Sequence, residues 1–298
     1  MRYPPIPKVA VVTGCSTGIG LATAVLLKER GWRVFATARK ERDLKMLRDY
    51  GLLDVDMDLS DSASVNKAAQ EILGGEQGKV GALVNNAGFG QPGAVEDLSR
   101  EALRAQFEVN VFGLQELTRA FIPALRAQGA GRIVNISSVL GNVSLPFLGA
   151  YCSSKFALEA LSDSLRVELH GTGVALSVIQ PGPIITAFRQ NAIDQLESSV
   201  SENESRFGEF FARELRRRRN SIKTPGIMNK SPEAVAKKVA HALESSRPWR
   251  RYCITPSAYA GALVRRFLPY AVVDAILRGR VTRLARAAET SPASSSTG

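Results

Sequence analysis

The sequence contains few cysteines and no long apolar run. Three of its 298 residues are cysteines, Cys15, Cys152 and Cys253, an odd number without the spacing of a metal site. This pattern argues against a disulfide framework and a metal centre, and it favours reduced thiols in a cytosol. No uninterrupted apolar stretch approaches the length of a bilayer span, and the N-terminal residues lack the apolar core of a signal peptide. We therefore expect a cytoplasmic protein without a transmembrane helix.

The positive charge of the sequence is concentrated at one end. The chain has 39 Lys and Arg against 28 Asp and Glu, a net charge of +11. Residues 247–298 hold nine of the basic and two of the acidic residues, so this segment carries +7 of the +11. A surplus confined to a tail does not indicate a nucleic-acid-reading fold, and we expect no nucleic-acid partner.

The basic tail also contains an apolar segment, AYAGALVRRFLPYAVVDAILRG (258–279). Arginines interspersed with large apolar residues are typical of amphipathic elements that bind a membrane surface or a partner. A solvated basic face on a helix that packs on its own domain explains the pattern equally well.

Short β-rich runs alternate with longer helical patterns from Val9 to Gly182. This alternation predicts βαβ units and a parallel sheet, and thus an α/β fold. The predicted helices include 21–30, which ends at Gly31, and 231–245, in which Ser231 precedes Pro232; a third follows Ser60 or Asp61 as its cap. The predicted strands are 9–13, 33–38, 52–58, 82–88, 132–138 and 174–182, followed by a last short strand, RYCIT (251–255).

The regular alternation stops after Pro183, and this break guides the domain assignment. We assign residues 1–255 to one domain, with the polar segment 190–229 as a mobile or helical insertion over the carboxyl edge of the sheet. Residues 256–289 form the basic extension, packed on the domain or on a membrane surface. Residues 290–298, TSPASSSTG, are predicted to be disordered.

The first predicted strand leads into a glycine-rich stretch, TGCSTGIG (13–20). Glycines allow a tight turn and close approach of the backbone to a phosphate, and the helix that follows offers free N–H groups to a pyrophosphate. The strand, turn and helix context supports a nucleotide site, although the glycine spacing differs from G-x-G-x-x-G. The predicted phosphate-binding residues are Gly14, Ser16, Thr17, Gly18, Ile19 and Gly20.

The end of the second strand predicts which dinucleotide binds. An acidic residue there would bind the adenosine ribose hydroxyls, whereas Arg accommodates a 2′-phosphate. The strand ends with Ala38 followed by Arg39, which favours NADP(H), and Thr17 could add a hydroxyl contact to the same phosphate. Asp58, at the end of the third strand, is placed to contact adenine; a role as a helix cap or a solvated acid is nearly as consistent.

The sequence YCSSK places Tyr151 and Lys155 four residues apart at the start of a predicted helix. Positions i and i+4 share a helix face, so the Lys charge could lie over the Tyr oxygen and favour phenolate. An unperturbed phenol, with a pKa of about 10, is otherwise a poor acid or base near neutrality. Because the spacing also arises by chance, the pair by itself indicates little.

Six separated motifs follow one another over residues 8–190. They are TGCSTGIG, NNAG at 85–88, Asn110 in FEVNVFG, Ser138 in NISS, YCSSK and PGPIIT at 181–186. Together and in this order, they resemble the short-chain dehydrogenase/reductase family. The resemblance implies a single Rossmann-like, doubly wound domain with about seven parallel strands flanked by helices. Family members commonly form dimers or tetramers, so a homo-oligomer is expected by analogy.

Within the family, the sequence is most similar to bacterial NADP-dependent aldehyde reductases near the hydroxysteroid and retinol dehydrogenases. This likeness extends into the tail, through RPWRRY and RRFLPYAVVDAILRG. The segment 190–229 is individual to this sequence, and we expect it to determine substrate choice.

The resemblance implies a catalytic set of Asn110, Ser138, Tyr151 and Lys155. Ser138 would donate a hydrogen bond to a substrate carbonyl, and Tyr151 would transfer a proton to or from the substrate oxygen. Lys155 would lower the pKa of the phenol and hold the nicotinamide ribose. Asn110 would bind a water that links Lys155 to solvent.

The resemblance also implies further cofactor contacts. The NNAG segment would lie against the adenosine ribose, and the PGPIIT segment would contact the nicotinamide carboxamide. The residues concerned are Asn86, Ala87, Gly88, Pro181, Gly182, Ile184 and Thr186.

Apolar residues follow Ser138 and the Pro181–Gly182 turn, and these predict the substrate class. An apolar wall suits a lipophilic carbonyl compound and offers no partner to a charged substrate. Our first hypothesis is an NADPH-dependent reductase of lipophilic aldehydes or ketones. A hydroxysteroid or retinol dehydrogenase acting oxidatively and a non-catalytic NADP-binding sensor are the alternatives. The predicted pocket residues, which could also be ordinary core, are Leu140, Val143, Phe147, Leu148 and Phe188.

Overall fold

The computed structural model describes residues 2–199, 205–208, 211–212 and 230–289. Its strands form one parallel seven-stranded sheet in the order β3-β2-β1-β4-β5-β6-β7, which confirms the predicted Rossmann-like α/β class. The strands are β1 (Val9–Val12), β2 (Arg33–Ala38), β3 (Leu53–Asp56), β4 (Ala82–Asn85), β5 (Gly131–Ile136), β6 (Val174–Gln180) and β7 (Arg251–Cys253).

Helices cover both faces of the sheet. Alternate residues of a strand point to opposite faces, so Ala10 packs with Leu27 and Val239 on one side, while Val11 packs with Ile72 and Phe121 on the other. Burial on both faces explains why the strands are nearly continuous in apolar residues. The helices are α1 (Gly18–Glu29), α2 (Glu41–Asp49), α3 (Ser62–Gly75), α4 (Arg100–Phe107), α5 (Leu114–Ala127), α6 (Gly149–Glu168), α7 (Phe188–Ser199), α8 (Pro232–Glu244), α9 (Pro256–Phe267) and α10 (Tyr270–Glu289).

Helix starts follow from local chemistry. The side chain of Asp61 accepts a hydrogen bond from Ala63 N at 2.9 Å, so Asp61 is the cap of α3. Helix α8 begins at Pro232 directly after Ser231, as predicted. Helix α1 starts at Gly18, so its N-terminus lies within the glycine-rich turn.

The order of the strands changes direction between β1 and β4. Strand β1 pairs with β2 on one side and with β4 on the other, so the chain leaves the carboxyl ends of β1 and β4 toward opposite halves of the sheet. Ligands of open α/β sheets bind in the crevice at such a switch point.

The C-terminal extension contains α9 and α10. The start of α9 packs on the Rossmann-like domain: Ala258 is fully buried, and Thr255 Oγ1 accepts from Ala258 N at 3.3 Å. A Cβ added at Gly261 would lie 2.6 Å from Val139 Cγ2, so this turn of α9 lies against the loop after β5. Within the described ranges, no helix has both the length and the apolar content needed to cross a bilayer.

The predicted insertion is described only in part. Helix α7 covers its first residues, and the short pieces 205–208 and 211–212 pack beside it through Phe207 and Phe211. The rest of the predicted segment 190–229, and the predicted disordered tail 290–298, lie outside the described residues.

Candidate active site

A cavity of about 1050 Å³ lies at the carboxyl edge of the sheet. Most of the site residues expected from the sequence line it, although they come from the loops after six strands and from helices α1, α6 and α7. The lining includes Gly14, Ser16, Thr17, Gly18, Ile19, Arg39, Asp58, Asn86, Ala87, Gly88, Ser138, Leu140, Leu148, Tyr151, Lys155, Pro181, Gly182, Ile184, Thr186 and Phe188.

The glycine-rich turn has the conformation that its sequence predicts. Gly14 and Gly18 have φ of 69° and 63°, in the left-handed region that favours glycine. Gly20 is not among the cavity-lining residues, because it packs inside the turn, where an added Cβ would collide with the Gly14 carbonyl oxygen. The side chain of Asn86 donates to the carbonyls of Thr13 (2.8 Å) and Gly14 (3.1 Å) and ties the loop after β4 to this turn.

The N-terminus of α1 faces the cavity and is open to a ligand. Thr17 is the N-cap residue, with extended backbone, and its side chain makes no capping hydrogen bond. The first amides of a helix lack intrahelical partners and carry positive potential, which together favour an anion. A Cβ added at Gly18 would lie 3.0 Å from Thr186 Cγ2, so the turn forms a narrow cradle that a larger residue would fill. These features fit the pyrophosphate of a dinucleotide.

Two cations follow the carboxyl end of β2. Arg39 and Lys40 both line the cavity, and the Arg39 side chain is 63% exposed. Its Nη1 lies 3.4 Å from Asp58 Oδ2, and Asp58 Oδ1 accepts from the amide and the hydroxyl of Ser60. Burial raises the pKa of Asp58, but the hydrogen bonds from Ser60 and the charge of Arg39 together lower it below its usual value. An ionised Asp58 therefore holds Arg39 at the rim, and Lys40 is a second cation that the sequence reasoning missed.

Tyr151 lies in the first turn of α6 and is buried. Burial raises its pKa to about 12, and a hydrogen bond with the Ser138 side chain opposes this shift. Ser138 Oγ also accepts from Leu140 N at 3.1 Å, which fixes its position after β5. The phenol is therefore protonated at neutral pH and could act as a proton donor.

Lys155 is buried one turn further along α6. Its ammonium donates to the Ile136 carbonyl at 2.9 Å and lies 5.9 Å from the centroid of the Tyr151 ring. Burial lowers the pKa of Lys155 to about 8, and the carboxylate of Glu159 opposes this shift. In contrast to the expectation from the sequence, burial has a larger effect on the pKa of Tyr151 than the neighbouring ammonium has.

Asn110 lies behind the cavity in a π-helical turn, Glu108–Gly113, between α4 and α5. Its side chain accepts from Phe89 N (3.1 Å) and donates to Phe89 O (3.0 Å) and Ser154 Oγ (3.1 Å). A Cβ added at Gly88 would lie 2.9 Å from Asn110 Oδ1 and 3.8 Å from Lys155 Nζ. Asn110 thus fixes the loop after β4 close to Lys155, a contact that the sequence motif did not reveal. Single π-helical turns are frequent at functional sites.

Apolar side chains surround Tyr151 on the open side of the cavity. The Phe188 ring lies 5.5 Å from the Tyr151 ring, and Leu140, Leu148 and Leu145 line the same wall. Leu145 was missed by the sequence reasoning, although it stands within the apolar segment that was considered.

Two of the expected pocket residues lie elsewhere. Phe147 has φ of 65°, and its ring packs against Phe207 (5.1 Å) and Phe211 (5.6 Å) beside α7. Val143 lies beside Gly261 of α9, where an added Cβ would be 3.7 Å from its Cγ2. Neither is among the cavity-lining residues, because the Phe147 ring packs beside α7 and Val143 lies against α9.

In the part of the chain that the structure describes, no group of three or more His, Cys, Asp or Glu side chains lies close enough to hold a metal ion. The three cysteines are free thiols, and burial raises the pKa of Cys15 to about 12.

The fold and the site together define an NAD(P)-dependent oxidoreductase, with a dinucleotide cradle at the switch point and a Tyr–Lys pair beside it. Residues 8–197 match the family model described as short chain dehydrogenase. The chain belongs to this family. It is 39% identical over 275 residues to the uncharacterized oxidoreductase YbbO of Escherichia coli (strain K12), covering 91% of this chain and 94% of that protein.

Solved structures with either dinucleotide are similar to this chain. One is a short chain dehydrogenase/reductase from Burkholderia phymatum in complex with NAD, with a TM-score of 0.74, 27% identity and coverage of 89% of this chain and 94% of that one. Another is a short chain dehydrogenase from Burkholderia cenocepacia in complex with NADP, with a TM-score of 0.69, 27% identity and coverage of 93% and 99%. The similarity therefore does not decide between the two cofactors.

Proposed function

We propose that this protein is an NADPH-dependent reductase of lipophilic aldehydes or ketones. The observation that supports this proposal best is the protonated, buried Tyr151, which lies against Ser138 and below an apolar wall. A protonated phenol suits reduction, because the carbonyl oxygen must receive a proton as the carbon is reduced.

The residues around Tyr151 have complementary roles in this proposal. A nicotinamide cofactor held in this cavity would supply the hydride for the carbonyl carbon. Ser138 donates a hydrogen bond to the carbonyl oxygen and stabilises the charge that develops there. Tyr151 gives its proton to the same oxygen, and the ammonium of Lys155 stabilises the phenolate that remains. Asn110 keeps the loop after β4 in place beside Lys155.

The preference for NADPH rests on the cations after β2. Ala38 leaves the position of an acidic ribose ligand without a carboxylate, and Arg39 and Lys40 line the cavity together. Both can pair with a 2′-phosphate, and a charge-assisted hydrogen bond of this kind contributes about 1.5–3 kcal/mol. The turn around Gly14 and the N-terminus of α1 would hold the pyrophosphate.

The substrate class follows from the wall beside Tyr151. Leu140, Leu145, Leu148 and Phe188 present hydrocarbon to the position where the carbonyl would bind. Such a surface favours apolar substituents by about 25 cal/mol per Å² of area removed from water. The resemblance of the sequence to bacterial aldehyde reductases supports aldehydes within this class.

A kinetic comparison tests the proposal. The purified protein is assayed with NADPH and with NADH against medium-chain aldehydes, retinal and ketosteroids. We expect turnover of at least one apolar carbonyl and a higher kcat/KM with NADPH. Preference for NADH would contradict the cofactor assignment, and turnover restricted to charged carbonyls would contradict the substrate class.

Two alternatives use the same site. A hydroxysteroid or retinol dehydrogenase would run the reaction in reverse, which the same assay detects with NADP⁺ and the corresponding alcohols. A non-catalytic NADP sensor is disfavoured, because a sensor needs no proton donor, and here Ser138, Tyr151 and Lys155 line one cavity. Tight NADPH binding without turnover of any carbonyl or alcohol would favour the sensor.

We also propose that α9 and α10 contact an anionic membrane surface. Tyr259, Leu263 and Phe267, four residues apart along α9, are 56%, 58% and 68% exposed. The segment is strongly basic, so an apolar stripe and cationic residues occur together, as in helices that lie at the membrane interface. Since Gly261 packs against Val139, which lines the cavity, this contact would bring lipophilic substrates close to the active site.

Vesicle flotation tests the membrane contact. We expect the protein to float with vesicles of phosphatidylglycerol and phosphatidylcholine but not with phosphatidylcholine alone. Leu263→Asp with Phe267→Asp should abolish flotation, whereas Val167→Asp, at an exposed apolar position of α6, should not. If the double variant instead dissociates a homo-oligomer in gel filtration and floats normally, α9 binds a second copy of the chain.

A further inference from the structure

A buried carboxylate, Glu159, lies one helical turn beyond Lys155 on α6. It is 3% exposed, and carboxylates are rarely so buried without partners. Its Oε1 accepts from Gln180 Nε2 at 2.9 Å, and its Oε2 accepts from Arg251 Nε at 3.2 Å and Nη2 at 3.1 Å. The proposed reaction gives this network no role.

Glu159 faces the same part of the molecule as Lys155. The two residues are four apart on one helix and therefore share a face. A Cβ added at Gly141 would lie 2.9 Å from Glu159 Cγ and 3.2 Å from the Lys155 carbonyl, so both pack against the turn that follows Ser138.

Arg251 neutralises Glu159 only in part. Its Nη2 also lies 2.7 Å from Asp163 Oδ2, and Asp163 in turn accepts from Arg166. Arg251 therefore divides its charge between two carboxylates, of which the buried Glu159 is the less screened by solvent.

We propose that Glu159 is a positioning residue that keeps Lys155 charged, and that Arg251 limits the strength of this effect. The proposal rests on the role of Lys155 in the proposed function. It adds a device that extends from the active site to β7 at the edge of the sheet.

The charges around Lys155 predict the direction in which Glu159 shifts its pKa. Burial lowers the pKa of Lys155, and the charge of Glu159 raises it. The other titratable groups around the pair are Tyr151 and Cys152 on α6, Cys253 on β7 beside Gln180, and the Asp163–Arg166 pair on the outer part of α6. Arg251 is the cation in direct contact with Glu159.

The test is the pH dependence of kcat/KM for NADPH reduction of the best aldehyde in the panel. Glu159→Gln removes the negative charge, keeps the shape and can still hydrogen bond to Gln180 and Arg251. Arg251→Gln removes the cation and leaves Glu159 charged. Glu168→Gln makes the same carboxylate-to-amide change at an exposed position of the same helix and is the matched control.

We expect the two variants to shift the alkaline limb in opposite directions. In Glu159→Gln it should move down by about one pH unit, a tenfold loss of proton affinity at Lys155. In Arg251→Gln it should move up by a similar amount, and in Glu168→Gln it should stay. A purely structural role would lower the rate without opposite shifts.

If kcat/KM declines over the same alkaline pH range in wild type and in Glu159→Gln, the proposal is wrong. Thermal unfolding and NADPH fluorescence titrations show whether each variant is folded and binds cofactor. If one variant does not fold, the direction of the pH shift in the other still tests the proposal. If wild type binds NADPH but turns over no carbonyl, the proposed function fails. In that case, the pH dependence of NADPH binding tests the effect of Glu159. We expect its alkaline decline to move down in Glu159→Gln and up in Arg251→Gln.

Discussion

At the residue scale, burial moves Tyr151 and Lys155 toward their neutral forms. The pKa of the phenol rises to about 12 and that of the ammonium falls to about 8. The phenol is thus a weak acid. It gives up its proton only to a strongly basic acceptor, such as the alkoxide oxygen that forms as a carbonyl is reduced. In the proposed reaction, the nearby ammonium of Lys155 would stabilise the resulting phenolate.

Tyr151→Phe should remove the proton donor and little else. The ring is buried against Phe188, and the substitution keeps that packing. General acid catalysis contributes about 10²–10⁴-fold, so we expect kcat to fall by that factor while NADPH still binds. Steady-state kinetics and cofactor fluorescence measure the two effects separately. Unchanged kcat in a folded variant would mean that Tyr151 does not donate the proton.

The pH profile of the wild-type enzyme should have one alkaline limb. Lys155 has a lowered pKa of about 8, so it is charged below that pH and becomes neutral above it. Tyr151 remains protonated up to about 12 and adds no loss in this range. Because kcat/KM reports the free enzyme, we expect it to decline above about pH 8. A profile that is flat to pH 10 would contradict a charged Lys155 in catalysis.

Arg39 should control the choice between the two dinucleotides. Arg39→Ala removes the cation closest to the end of β2 and leaves Asp58 without its ion-pair partner. We expect the KM for NADPH to rise about tenfold, since a charge-assisted hydrogen bond is lost, and that for NADH to stay or fall. Arg42→Ala, an exposed arginine of α2, is the control and should change neither.

At the element scale, the strands were located from the sequence more accurately than their ends. The predicted strand 52–58 is observed as Leu53–Asp56, and 82–88 as Ala82–Asn85. Apolar and β-branched residues mark a buried strand, but pairing stops at the carboxyl edge, where the chain turns outward to form the site. The excess residues of both predictions are therefore binding-loop residues, among them Asp58 and Asn86.

Two local conformations had no signal in the sequence. The π-helical turn around Asn110 depends on contacts with Phe89 and Ser154, which are distant in sequence. The positive φ of Phe147 is rare for a bulky residue and arises where its ring packs beside α7. Tertiary contacts decide both cases, so a local pattern could not predict them.

The glycine-rich turn at the start of α1 should tolerate no side chain at Gly20. An added methyl would collide with the Gly14 carbonyl oxygen and crowd the Asn86 amide. We expect Gly20→Ala to abolish NADPH binding in a fluorescence titration and to lower the melting temperature. Gly74→Ala in α3, where a Cβ meets nothing within 4 Å, should stabilise the helix by up to about 1 kcal/mol. Equal NADPH affinity in both variants would argue against the proposed cradle.

At the scale of the whole molecule, the two helices of the extension differ in how much they support the fold. Ala258 of α9 is fully buried, whereas Tyr270 of α10 is 89% exposed. A chain that ends at Leu268 should therefore keep its melting temperature within a few degrees. A chain that ends at Thr255 would uncover Val139 and should lose stability and solubility. Differential scanning fluorimetry of the two truncated proteins, with the full chain as reference, measures this difference.

Most of the candidate site was predictable from the sequence because parallel strands bring their carboxyl ends to one edge. Motifs as distant as Gly14 and Thr186 line the same cavity for this reason. The parts that were missed, such as Lys40 and Glu159, carry no motif and depend on which side chains meet across the sheet. Periodicity does not contain that information.

The late position of β7 in the chain has a consequence for biosynthesis. Strand β7 pairs with β6 across 73 residues, from Val178 to Arg251, so the sheet cannot be completed until β7 has been made. Until β7 has been synthesised, Glu159 lacks its ion-pair partner Arg251, and burial of its carboxylate is unfavourable. We expect the growing chain to form the β1–β6 core first and to pair Arg251 with Glu159 last, which makes docking of β7 a slow, long-range step.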